Sequence, residues 1–94
     1  MISIHNAYKV VKKWASTIAF RDKKIVLIEA SDFGTFYGFV FKAKNIYNNA
    51  YWCIDKKTLK LFLFLPVQNV KIFNNRHVYT KGELKEYGST NTSE

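Results

Sequence analysis

Scarcity sets the first limits. The 94-residue chain has one cysteine, one proline and four glycines, and only seven acidic residues stand against fifteen basic ones. A single thiol, Cys53, cannot close an internal disulfide, so folding does not depend on an oxidising compartment. No uninterrupted apolar run is longer than Leu61–Leu65, far short of the ~18–20 residues that span a bilayer. Lys9, Lys12 and Lys13 interrupt the first apolar stretch, unlike a secretory leader. These features lead to the expectation of a soluble, cytoplasmic protein with no membrane partner. Gly34, Gly38, Gly82 and Gly88 form no phosphate-cradling pattern.

Catalytic side chains are equally sparse. His5 and His77 are the only histidines, and neither has Cys, Asp or Glu at metal-ligand spacing. Within the first 80 residues the carboxylates are Asp22, Glu29, Asp32 and Asp55. Asp55 belongs to a turn, where its carboxylate is expected to cap its own backbone. Glu29 lies in a strand pattern and reads as solvent-facing. Cys53 sits mid-strand, where a buried, inert thiol is the default. No enzyme, no metal and no cofactor is expected.

What is abundant is positive charge and aromatic area. The net charge is +8, and residues 81–94 sum to −1, which leaves +9 on the first 80. Such a field favours acidic proteins, nucleic-acid backbones or anionic surfaces. Hydrophobic residues make up 48% of the chain and aromatics 17%, enough for one core. A domain this small buries only about 60–65% of its unfolded surface and needs most of that apolar material inside.

Ser3 is positioned to cap a helix. Ile4, Ala7, Tyr8, Val11, Trp14, Ala15 and Ile18 follow at spacings of three and four, an amphipathic stripe from Ile4 to Ser16 or slightly beyond. At Ile25 the pattern changes to "IVLIEA", a strand. Ser31–Gly34 reads as a turn and Thr35–Lys44 as a second strand. That strand has one row of Phe36, Gly38, Val40 and Lys42 and another of Tyr37, Phe39, Phe41 and Ala43. Asn45–Asn49 reads as a loop. Tyr51–Asp55 and Lys60–Leu65 form a hairpin that ends at Pro66, which lacks a ladder donor. "VQNVKIF" fits a short helix or an extended edge, and "RHVY" a last strand turn.

The predicted fold class is α+β. An N-terminal amphipathic helix packs on a four-stranded antiparallel meander sheet, cystatin-like in outline, with a short C-terminal segment. Residues 1–80 form the single domain and 81–94 a polar, disordered tail. The hairpin is apolar on both faces. Leu61, Leu63 and Leu65 are expected under the helix, with Phe62 and Phe64 on the far side. Either the C-terminal segment, through Val70, Ile72, Phe73 and Tyr79, folds over that far side, or a partner covers it. A homodimer through the aromatic face fits equally well. Aromatic strands flanked by lysines also allow nucleic-acid binding, although "YGFVFKAK" matches an RNA-recognition sheet poorly.

The stretches "YGFVF" (Tyr37–Phe41) and "NNAYWCIDKKTLKLFLF" (Asn48–Phe64) are similar to the immunity protein 35 family, also called the YrhB-like domain, over residues 4–66. Ile54-Asp55-Lys56-Lys57-Thr58 matches the family's turn. Leu59 stands where the family usually has glycine, and Phe39 replaces its usual Trp. The resemblance implies a non-enzymatic bacterial protein that binds and neutralises a cognate toxin. The basic charge then implies a toxin with an acidic surface. The surplus aromatics and nearby lysines are the candidate binding residues: Tyr37, Phe39, Phe41, Lys42, Lys44, Tyr51 and Lys60. The runner-up is a small basic nucleic-acid-binding protein of phage or mobile-element origin.

Overall fold

The computed structural model describes residues 1–18, 21, 24–43, 46–47 and 49–84. Helix α1 spans Ile4–Ile18. Ser3 Oγ accepts the amide of Asn6 at 3.2 Å, so the expected N-cap is in place. Ala7, Tyr8, Val11 and Ala15 are buried. They are the centre of the predicted stripe and lie against the sheet, with Ile4 and Trp14 partly buried beside them, whereas Ile18 is exposed.

The sheet is a meander. Strands β1 (Ile25–Asp32), β2 (Phe36–Ala43), β4 (Tyr51–Asp55) and β5 (Leu61–Phe64) pair antiparallel in that order. Two short strands complete it. β3 (Ile46–Tyr47) pairs with the end of β2, and β6 (His77–Val78) pairs with β1 on the far edge. The expected α+β class and helix-on-meander layout are thus present, with two-residue strands added. The first strand is longer than expected. It includes Ser31 and Asp32, and the turn falls at Phe33–Thr35. Asp32 Oδ1 accepts the Gly34 amide at 2.8 Å, and Gly34 takes φ 99°, which its missing Cβ permits.

Two cores form, one on each face. Under α1 lie Leu27, Ala30, Tyr37, Phe39, Phe41, Trp52 and Ile54. Trp14 meets Trp52 edge-on at 4.9 Å between ring centroids. The other face gathers Phe36, Val40, Tyr51, Cys53 and Phe64, with Phe33, Phe62 and Phe73 packed against them. Leu61 joins the helix-side core. The leucine and phenylalanine rows of β5 therefore split by parity as expected, but of the three leucines expected under the helix only Leu61 reaches that core, while Leu63 and Leu65 are exposed.

The chain itself covers much of the second face. Phe33 folds back from the β1–β2 turn, stacks on Phe36 at 4.8 Å and meets Tyr51 at 5.1 Å. A transverse row of small residues makes room for these rings. Ser31 pairs with Gly38, and Gly38 with Cys53. After β5 a 3-10 turn (Pro66–Gln68) leads into α2 (Val70–Asn74). From there Phe73 reaches Tyr51 at 6.1 Å. The rest of the segment does not serve that face. Val70 remains 57% exposed, and Tyr79 packs against the helix-side core instead. Leu84 is completely buried in that same core. The domain thus continues at least four residues beyond the expected boundary at 80. The rest of the expected tail, 85–94, lies outside the described residues.

Candidate functional site

Four of the expected binding residues, Tyr37, Phe39, Phe41 and Tyr51, are core residues. Phe39 and Phe41 are wholly buried, each with its ring tilted against Tyr8 of α1. Tyr37 is 9% exposed, and its hydroxyl donates to the Ile2 carbonyl at 3.3 Å. The placement of these rings toward a partner is therefore corrected. The row containing Gly38 and Lys42 is the one turned away from α1, and the all-apolar row lies beneath it. Lys42 and Lys60 are exposed. Lys44 lies outside the described residues. Tyr51 alone among the aromatic candidates belongs to the second face, and there it too is buried in the core.

On that face a polar cluster surrounds Glu29. Register explains its presence. Strict alternation from Ile25 and Leu27 would put Glu29 under the helix. The pairing shifts between Leu27 and Glu29, so that Leu27 opposes Phe41 and Glu29 opposes Val40. Ile28 is the extra residue of a β-bulge, and it turns Glu29 onto the second face. There Glu29 Oε2 accepts from Ser31 Oγ (2.7 Å), Arg76 Nε (2.9 Å) and the Tyr51 hydroxyl. Arg76 Nη1 also donates to the Phe73 carbonyl at 3.0 Å, and its guanidinium lies 4.0 Å from the Phe73 ring centroid.

Burial alone would raise the Glu29 pKa. The three hydrogen bonds and the charge of Arg76 outweigh it and hold the carboxyl below its ordinary value. The same burial, reinforced by Glu29, pushes the Tyr51 hydroxyl up. The expected solvent-facing role of Glu29 is corrected: it is a half-buried ion-pair partner. Nor does it pair with Asp32, which binds Lys56 Nζ at 2.8 Å. The cluster borders an open concavity of about 310 Å3 with Val40, Asn49 and Pro66. It pins the C-terminal segment to β1.

The other notable feature is an edge. Among the described residues, no strand lies beyond β5. Asp55 donates its amide to the Lys60 carbonyl at 2.9 Å. Hydrogen-bonded pairs alternate in an antiparallel ladder, so Phe62 and Phe64 turn their main-chain groups toward β4. Leu61 and Leu63 turn theirs outward. Leu65 would also face outward, but Gln68 closes that position. Its Oε1 accepts the Leu65 amide at 2.7 Å, and its amide donates to the Leu65 carbonyl at 2.9 Å. Exposed apolar side chains flank the open stretch: Leu59 (52%), Leu63 (49%), Leu65 (44%) and Val67 (82%). Lys57, Lys60 and Lys71 are exposed nearby in sequence. Asp55 is already engaged as expected, with Oδ1 accepting the Lys57 and Thr58 amides at 2.8 Å each.

A third surface is the outer side of α1. Lys9, Lys12 and Lys13 are exposed, and the helix contains no acidic residue. They line an open concavity of about 460 Å3 with His5, Tyr8 and Ser16. No helix among the described residues is long and apolar enough to cross a membrane.

No family model, curated protein or solved structure matches the chain.

Proposed function

We propose that this chain is a non-enzymatic protein-binding module, an immunity protein that binds and neutralises a cognate bacterial toxin with an acidic surface. The observation that carries the reading is the open edge of β5, bordered by exposed Leu63, Leu65 and Val67 and by Lys60. Soluble domains normally blunt such an edge or cover it. Apolar residues on an edge that is left open mark an interaction surface. The surrounding lysines and the net charge of +8 select an acidic partner. The sequence resemblance to the immunity protein 35 family, centred on the β4–β5 hairpin, supports the same reading.

The test is affinity capture of the tagged chain from its native lysate at about 300 mM salt, an ionic strength that suppresses weak phosphate contacts. One stoichiometric acidic protein is the expected result. Recovery of the bait alone, with the candidate toxin demonstrably expressed, contradicts the reading.

The acid-free lysine face of α1 supports a second reading, nucleic-acid binding. It predicts retention on DNA or heparin that falls steeply between about 50 and 200 mM salt. Lys12→Glu combined with Lys13→Glu would then abolish retention while leaving protein capture intact.

A further inference from the structure

The open part of β5 is short and has a defined phase. Only Leu61 and Leu63 present main-chain N–H and C=O groups outward, because Gln68 occupies both groups of Leu65. Those four groups are what an added strand pairs with. The side-chain rows on either side also continue into an added strand. On the helix side the neighbours are Leu61 and Leu63. On the other side they are Lys60 and Phe62, which share the alternate parity.

We infer that β5 accepts one extended acidic segment of a partner protein as an additional strand, hydrogen-bonded through Leu61 and Leu63. This rests on the protein-binding reading and specifies its mode. A second copy of the chain is the less favoured occupant. Pairing β5 with itself sets two chains of +8 edge to edge, with no acidic group free on that edge among the described residues to offset the charge. An incoming segment that alternates apolar and acidic residues meets both rows. Its apolar side chains extend the leucine row, and its carboxylates fall beside Lys60.

The experiment is amide-resolved NMR with hydrogen exchange on the full chain. The probe is a capped seven-residue peptide alternating Glu and Val. In the free protein the Phe62 and Phe64 amides are expected to exchange slowly and those of Leu61 and Leu63 quickly. Millimolar peptide is expected to slow Leu61 and Leu63 by at least about tenfold, as ladder bonding requires. The Leu65 amide, held by Gln68, stays unchanged. A Lys-Val peptide of the same length has no effect. The Glu-Val peptide with alternate amides N-methylated also loses the effect, without any change to the protein. Leu63→Pro removes an outward donor but no ladder bond, so it folds and fails to bind.

Three results would overturn the inference: shifts centred away from β5, equal protection by the N-methylated peptide, or no protection at all. Protection that grows with protein concentration and needs no peptide would assign the edge to a second copy instead. The two readings fail separately. If Leu63→Pro captures the partner as well as the parent chain does, the edge assignment falls and the binding function stands. If the peptide protects Leu61 and Leu63 but no partner is captured, the opposite holds.

Discussion

Gln68 grips Leu65 from both sides, its side-chain carbonyl on the Leu65 amide at 2.7 Å and its own amide on the Leu65 carbonyl at 2.9 Å. This contact ends the open edge of β5 and leaves Leu61 and Leu63 as its only outward-facing residues. Gln68→Ala should therefore free the Leu65 amide. Its hydrogen exchange is expected to accelerate, while Phe64, which pairs with Tyr51, keeps its protection. Unchanged exchange at Leu65 would mean that the contact does not persist in solution.

The Glu29–Arg76 pair makes stability depend on pH. The folded-state pKa of Glu29 is lowered, so its contribution is complete above the unfolded value of about 4.5 and is lost as pH falls through the folded value. Asp55 and Glu83 are lowered too, so the parent chain weakens in acid through several groups. Urea melts should show Glu29→Gln less stable than the parent at pH 7, with the gap narrowing below pH 4.5. Arg76→Ala leaves the carboxylate beside Tyr51 and Ser31 without its cation. It should cost about 1–2 kcal/mol, kept low because both partners are roughly one-fifth exposed.

Gly38 is where rings lie flat on the sheet. A Cβ there would meet Phe33 Cε2 at 2.7 Å, Tyr51 Cδ2 at 3.1 Å and Cys53 Sγ at 3.2 Å. Gly38→Ala is expected to destabilise by about 1–3 kcal/mol, as overpacking does, and to displace Phe33. The change is visible as loss of the ring-current shifts around Phe36. A neutral effect would show that the second core is loosely packed.

Leu59 carries backbone strain at φ 63° in the β4–β5 turn. Its side chain is half exposed, so little packing opposes a change. Leu59→Gly should stabilise the domain by about 0.5–1 kcal/mol, because an L-residue pays roughly 1–2 kcal/mol in that region and glycine does not. Equal or lower stability in a urea melt would contradict the turn geometry.

Cys53 is wholly buried, and burial raises its thiol pKa. Its reaction with an aromatic disulfide reagent at pH 8 should be slower than in the urea-unfolded chain by on the order of 10³, because reaction waits on opening. Rapid labelling of the native chain would show that the second face opens readily.

Much of this architecture is legible in sequence because it is periodic or local. The stripe from Ile4 to Ile18, the Ser3 cap and the Asp55 turn all rest on near neighbours. The split of Leu61 and Leu63 from Phe62 and Phe64 follows from strand parity. Parity could not say which row of β2 lies under the helix, since both are rich in aromatics. Gly38 and Lys42 held that information: a row with a glycine and a lysine suits the face covered only by loops and a short helix. Glu29 was illegible for another reason. A one-residue bulge at Ile28 reverses its face, and no nearby residue announces it. Its partner Arg76 lies 47 positions away. Leu84 was missed because a single buried leucine in a polar stretch has no periodic context.

The most direct test of the account compares capture from native lysate at about 300 mM salt by the parent chain and by Leu63→Pro, with both baits first shown to be folded. The account predicts one acidic protein, stoichiometric on the parent chain and absent from the variant. The same protein on both baits, or only nucleic acid on either, would contradict it.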